Sequence, residues 1–170
     1  MAKNDVKILE MKQVSTRQYI VEDRTTSGAT ATIKPGEPVK MRSGDDSNDV
    51  IILATGDPEQ GTDIMVGIAA SESTETSTED GTVEVYVPIP GITVMRCRAT
   101  TPANVDTVAK RLAIMGDVVS FDLTDTTFTV DEDEGTDDNV HGLVIVDVDI
   151  NNGDIDFVLK GAVTPGFSAL

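Results

Sequence analysis

The chain is poor in the residues that most soluble catalysts rely on. It has one Cys, one His, no Trp, four Phe and two Tyr among 170 residues. A single cysteine excludes an internal disulfide, so the fold must rest on its core alone. Cys97 stands between Arg96 and Arg98 in an apparent strand and reads as a small buried hydrophobe rather than a working thiol. With His141 the only histidine, any Ser-His-Asp or Cys-His relay must run through it. It lies in an Asn139-Val140-His141-Gly142 turn with no nucleophile motif beside it, which is the setting of a surface histidine. There is no GxSxG, no P-loop, no GxGxxG opening a helix and no HExxH. Carboxylates are abundant enough to supply a glycosidase pair almost anywhere, and for that reason no one pair is informative. The scarcity of aromatic rings argues against a sugar-binding groove and against stacking platforms for bases. No apolar run approaches the length of a membrane span, and the N-terminus lacks the apolar stretch of a secretory signal. The expectation is a protein made and kept in the cytosol, with no membrane partner and no cofactor.

What the chain has is acid, unevenly spread. The net charge is −17, with 13 Lys and Arg against 30 Asp and Glu. Residues 1–42 hold 8 of the bases and 5 of the acids and carry +3, whereas residues 43–170 carry −20. Nucleic-acid binding depends on neutralising phosphates with basic side chains, so the body is not expected to bind DNA or RNA. So much acid is instead suited to solvation, and to discouraging strand edges from pairing with other chains. The split divides the chain into a segment that attaches and a body that faces water.

The body reads as short strands. Residues 18–21 are β-like, and 30–33 run into Lys34-Pro35-Gly36-Glu37, a strand meeting a Pro-Gly turn, with the return strand from Val39. The apolar runs 50–53 and 64–70 suit buried strands, and Gly67 within the second suggests a bulge or a close backbone approach. The polar, low-complexity stretch SESTETSTEDG at 71–81 belongs in a solvated loop, outside the core. Val83, Val85, Val87 and Ile89 then alternate with Glu84, Tyr86 and Pro88; the prolines at 88 and 90 put that strand end at an edge or bend. Strands are expected again at 92–99, 117–123 and 128–130. Residues 143–150 alternate Val144, Val146, Val148 and Ile150 with Leu143, Ile145, Asp147 and Asp149, which puts the two aspartates in one solvent-facing row. Asn151-Asn152-Gly153 turns this strand into a hairpin with 155–159.

One helix is expected, at about 105–115, with Val108, Leu112 and Met115 on the face packed against the sheet. Asn104 would cap it and Gly116 would end it. Two acidic clusters invite a calcium reading, since hard cations need several oxygens converging from a tight loop. Neither keeps the spacing: in Asp131-Glu132-Asp133-Glu134-Gly135 the glycine comes a place early, and after Asp147, Asp149 and Asn151 the sixth position is Asn152. No metal site is expected. Together these patterns predict an all-β fold, a small barrel or sandwich with one short helix spanning 18–170, preceded by an extended arm over 1–17.

Several strings carry a resemblance. Gly91-Ile92, Arg98-Ala99-Thr100-Thr101-Pro102-Ala103-Asn104-Val105, then Lys110, Leu112 and Gly116-Asp117-Val118-Val119 resemble the middle of the small decoration, or cement, proteins of tailed-bacteriophage capsids. Phe128-Thr129-Val130-Asp131-Glu132-Asp133-Glu134-Gly135, and Gly142-Leu143-Val144-Ile145-Val146 leading to Ile155-Asp156-Phe157, resemble that family's C-terminal half. The resemblance covers roughly residues 64–160. It implies a non-enzymatic, head-stabilising protein on the outer surface of the virion, bound to the phage major capsid protein as a homotrimer, with an N-terminal arm on the coat. Lys3, Lys7, Lys12 and Arg17 would then pair with acidic coat surface, and Ile8, Leu9 and Met11 would add to a sheet edge. Val87, Ile89, Ile92, Phe167 and Leu170 are the candidates for contact between copies. The alternative from another class is a β-sandwich binding or adhesion module that recognises a surface glycan or protein; a hydrolase using carboxylates is a distant third.

Overall fold

A computed structural model describes residues 6–9, 14–42, 50–52, 65–124, 127–133 and 142–160. These form two antiparallel sheets and little helix, the all-β class expected. The larger sheet has the order β1 (Lys7–Ile8), β7 (Met95–Arg98), β11 (Asp154–Leu159), β10 (Leu143–Asp149), β8 (Val118–Thr124), β9 (Thr127–Asp131). It curls until β9 meets β7 again: Ala99 bridges Val130, and the Thr100 amide donates to Val130 O at 2.9 Å. The smaller sheet has the order β2 (Val14–Val21), β6 (Gly81–Pro88), β5 (Met65–Ala69), β3 (Pro38–Met41), β4 (Val50–Ile52).

β5 explains how the two sheets share one body. All five of its residues are buried, and they serve two cores: Met65 and Ile68 join the larger cluster, Val66 and Ala69 the smaller. A strand with apolar neighbours on both faces reads as a continuous run rather than an alternation, which is why 64–70 looks as it does. Gly67 makes the arrangement possible. A Cβ there would lie 2.1 Å from Tyr86 O on the neighbouring β6, and the β3–β5 register skips Val66, so close approach and bulge occur together. The larger core centres on Phe121, set edge-to-face against Phe157 at 5.5 Å and Phe128 at 6.2 Å between ring centroids.

Turn chemistry follows the sequence closely. Lys34 O accepts from the Glu37 amide across Pro35 and Gly36, whose φ of 92° is the left-handed position of a type II turn. The flanking residues 30–33 carry no strand, however. Pro88 closes β6, a strand flanked on both sides, so its missing N–H falls at the bend and not at a sheet edge. A short helix that periodicity could not show, α1 (Arg24–Ser27), is capped by Asp23, whose carboxylate accepts from the Thr25 and Thr26 amides.

Four expectations are corrected. The helix α2 spans Val108–Ile114 and is capped by Thr107, whose hydroxyl accepts from the Lys110 amide; Asn104 instead ends a separate 3-10 turn, Pro102–Asn104. Its apolar stripe faces water: Val108, Leu112 and Met115 are 57%, 66% and 42% exposed, and Ile114 is the residue that packs on the core. The loop 71–81 is not wholly solvated, because Ser73 and Glu75 are buried and Ser73 Oγ accepts from the Ile33 amide. In the final hairpin a bulge at Val146 switches the faces of β10, so Leu143, Ile145 and Val148 point inward and Val146 is exposed. Asp147 and Asp149, on either side of the inward Val148, keep the outward row expected of them and find partners there: Asp147 pairs with Arg111, and Asp149 accepts from the Asn151 and Asn152 amides and Asn152 Nδ2.

The N-terminal segment also departs from a free arm over 1–17. Residues 14–17 already belong to β2, where Arg17 pairs with Val85 on β6. Farther upstream, Lys7 and Ile8 pair with Arg96 and Met95, and Val6 is buried in the larger core with its amide bound to Gly36 O. A three-residue apolar alternation is too short a signal to read as a strand beforehand, yet one buried valine and two ladder partners fix it in place.

Candidate docking surface

Four of the expected attachment and copy-to-copy residues, Lys7, Leu9, Ile89 and Ile92, are exposed near the β1 end of the larger sheet. β1 is the outermost strand of the larger sheet, held on one side by β7, and among the described residues no strand pairs with its other side. Past it, the Leu9 amide donates to Val94 O at 3.0 Å, which brings Leu9 alongside the turn that ends at Thr93. That turn is tightly made: Ile92 and Thr93 amides both donate to Ile89 O, the Ile89 amide donates to Thr93 Oγ1, and the Gly91 amide reaches Leu159 O. Gly91 takes a φ of 71°, open to glycine without strain. The buried, bonded Thr93 turns Ile89 and Ile92 outward, 40% and 53% exposed, beside a Leu9 that is 43% exposed. A rigid turn carrying large apolar side chains into water is a surface suited to a partner.

Not every predicted residue takes part. Ile8 is half-buried against the larger core and Val87 half-buried against the smaller one, so neither is free to meet a partner. Both are apolar neighbours of exposed residues in an alternating pattern, and the pattern alone does not say which face is the inside. Lys7 is exposed at the β1 edge, and Arg17 is exposed on β2. Lys3, Met11, Lys12, Phe167 and Leu170 lie outside the described residues, as does His141.

The acids near this body are largely engaged. On the outer face of the larger sheet Arg96 holds Asp156 in a two-point contact, Nε to Oδ1 at 2.6 Å and Nη2 to Oδ2 at 2.9 Å, with Asp149 at 3.7 Å. The Asp156 hydrogen bond holds the guanidinium charged well above its ordinary range. Arg98 adds Asp154 at 3.8 Å. The two arginines that flank Cys97 thus belong to a cross-strand ion-pair ladder. Cys97 itself is buried, with Sγ 3.4 Å from Phe128 O. Glu132, in the first acidic cluster, is buried and fastens the Pro102–Asn104 turn by accepting from the Thr101 amide and Asn104 Nδ2. Compared with known proteins, the chain matches no family model, no curated protein and no solved structure.

Proposed function

We propose that this chain is a non-enzymatic decoration protein that binds the outside of an expanded tailed-phage head as a homotrimer and stabilises it against the pressure of packaged DNA. The observation that carries the reading is the apolar edge of Leu9, Ile89 and Ile92 on an otherwise strongly acidic body, next to a sheet edge supplied by the basic N-terminal segment. Lys7 and the outer side of β1 meet the major capsid protein, adding strand hydrogen bonds to charge attraction. Ile89 and Ile92 meet the neighbouring copy. Because the two surfaces adjoin, assembly of the trimer and attachment to the shell reinforce each other, and many copies on a lattice multiply weak single contacts.

The test is cosedimentation with expanded tailed-phage heads, paired with sedimentation equilibrium of the free protein. Leu9→Asp, Ile89→Asp and Ile92→Asp change exposed side chains, so each should leave thermal stability nearly unchanged. The account expects the combined variant to lose shell binding at least tenfold and to sediment as a monomer. Retention of both properties would return the choice to the binding or adhesion module.

A further inference from the structure

The sequence holds a single Asn-Gly step, Asn152-Gly153, and it falls in the turn between β10 and β11. Such a step is the most open of all to deamidation, because glycine has no side chain to shield its nitrogen from the amide before it. In that reaction the Gly153 nitrogen loses its proton and bonds to Asn152 Cγ, the Cγ–Nδ2 bond breaks, and ammonia leaves. Water then opens the cyclic imide at either carbonyl, leaving aspartate or isoaspartate. Asn152 is exposed, so water and base both reach it. What the turn withholds is geometry. Asn152 Nδ2 donates to Asp149 Oδ2 at 2.8 Å, which draws the side chain back toward the start of the turn. The Gly153 amide donates to Asp149 O at 2.8 Å, so the proton that must leave is engaged. The Asn152 amide donates to Asp149 O and Oδ1, both at 3.3 Å, and the Asn152 carbonyl accepts from Arg98 Nη1 at 2.7 Å. Gly153 O accepts from the Ala99 amide at 3.0 Å, and Pro102 closes the remaining side, 2.6 Å from where a Cβ on Gly153 would lie.

The attacking nitrogen and the amide it attacks are thus each bonded to Asp149, and ring closure requires both to let go. We propose that Asn152 is a latent deamidation site which Asp149, as a positioning residue, keeps unreactive in the folded chain. The side chain of Asp149 holds the amide that would be lost, and its carbonyl holds the nucleophile. Opening of the hairpin releases both at once, so a chain that has been unfolded acquires the mark and a folded one is spared. The product does not fit the old turn: isoaspartate lengthens the backbone where Pro102 leaves no room, and either product sets a new carboxylate beside Asp149. The inference rests on this hairpin alone and is independent of the decoration reading.

The full chain and Asp149→Asn would be held in mildly alkaline buffer, with and without enough urea to unfold them, and the conversion of each asparagine followed by peptide mapping with mass spectrometry. The substitution keeps an oxygen for the Asn151 and Asn152 amides, which both bond Oδ1, and puts a donor where Oδ2 met Asn152 Nδ2. The proposal expects Asn152 to react ahead of every other asparagine in urea and at least tenfold more slowly in the folded chain. It expects folded Asp149→Asn to react at Asn152 at least threefold faster than the folded unaltered chain, with the two rates equal in urea. Equal rates in the folded and unfolded unaltered chain, a folded variant that reacts no faster, or another asparagine reacting first in urea would overturn it. If the variant does not fold, the ratio of folded to unfolded rates in the unaltered chain decides the matter.

Discussion

Gly67 is the residue on which the joining of the two cores turns. Its missing Cβ lets β5 approach the β6 backbone, and a methyl group there meets a carbonyl oxygen rather than a side chain that could move away. Gly67→Ala is therefore expected to cost about 3 kcal/mol, at the upper end of overpacking effects, read as a lowered urea midpoint. Asp149 makes a second single-residue prediction. Its carboxyl is held below the ordinary value of 3.8, first by Asn152 Nδ2, then by the Asn151 and Asn152 amides and by Arg96. Because the folded value is the lower one, its contribution to stability is complete above pH 3.8 and is lost as the pH falls through the folded value. Replacing the amide donor, Asn152→Ala, should move the Asp149 titration upward toward 3.8 in a carboxyl NMR experiment. Gly67 was legible in the sequence, as a glycine inside an apolar run. Glu75 and Glu132 were not, because a buried acid in a polar string looks the same as a solvated one until its backbone partners are known.

At the scale of elements, α2 and β1 show where pattern misleads. The period of Val108, Leu112 and Met115 is that of a helix, and a helix is there, but the stripe faces outward while Ile114 packs on the larger core. Periodicity gives the element and the separation of faces, and only tertiary contacts say which face is covered. Leu112→Glu should then change stability by no more than about 0.5 kcal/mol, whereas Ile114→Ala should cost roughly 1–2 kcal/mol, compared by denaturant unfolding. The β1 segment reverses the error: read as a loose arm, it supplies Val6 to the core and two residues to the ladder. Removing residues 1–9 should accordingly lower stability by about 2–4 kcal/mol, from a lost buried side chain and lost strand hydrogen bonds. A truncation with unchanged unfolding would contradict the placement of β1. It also follows that shell binding is better tested by surface substitutions than by deletion.

For the whole molecule, class was readable and closure was not. Short apolar runs separated by Pro, Gly and Asn turns specified an all-β fold, and the hairpin at 151–153 follows directly from its residues. The return of β9 to β7, and the sharing of β5 between two cores, depend on contacts far apart in sequence that no local pattern encodes. The same holds for the proposed docking surface. Leu9 and Ile92 come from segments more than eighty residues apart in the numbering, and they meet only because β1 pairs with β7. Their convergence places Lys7 of the basic segment on the outermost strand of the larger sheet, near an apolar turn of the acidic remainder. The most direct test of the proposed role is a density map of tailed-phage heads assembled in the presence of this chain. The account predicts three-fold clusters of density on the outer shell surface, with the β1 edge and the Ile89–Ile92 turn toward the coat and the neighbouring copy. A shell surface bare of this protein, with the chain found elsewhere in the particle or absent from it, would contradict the account.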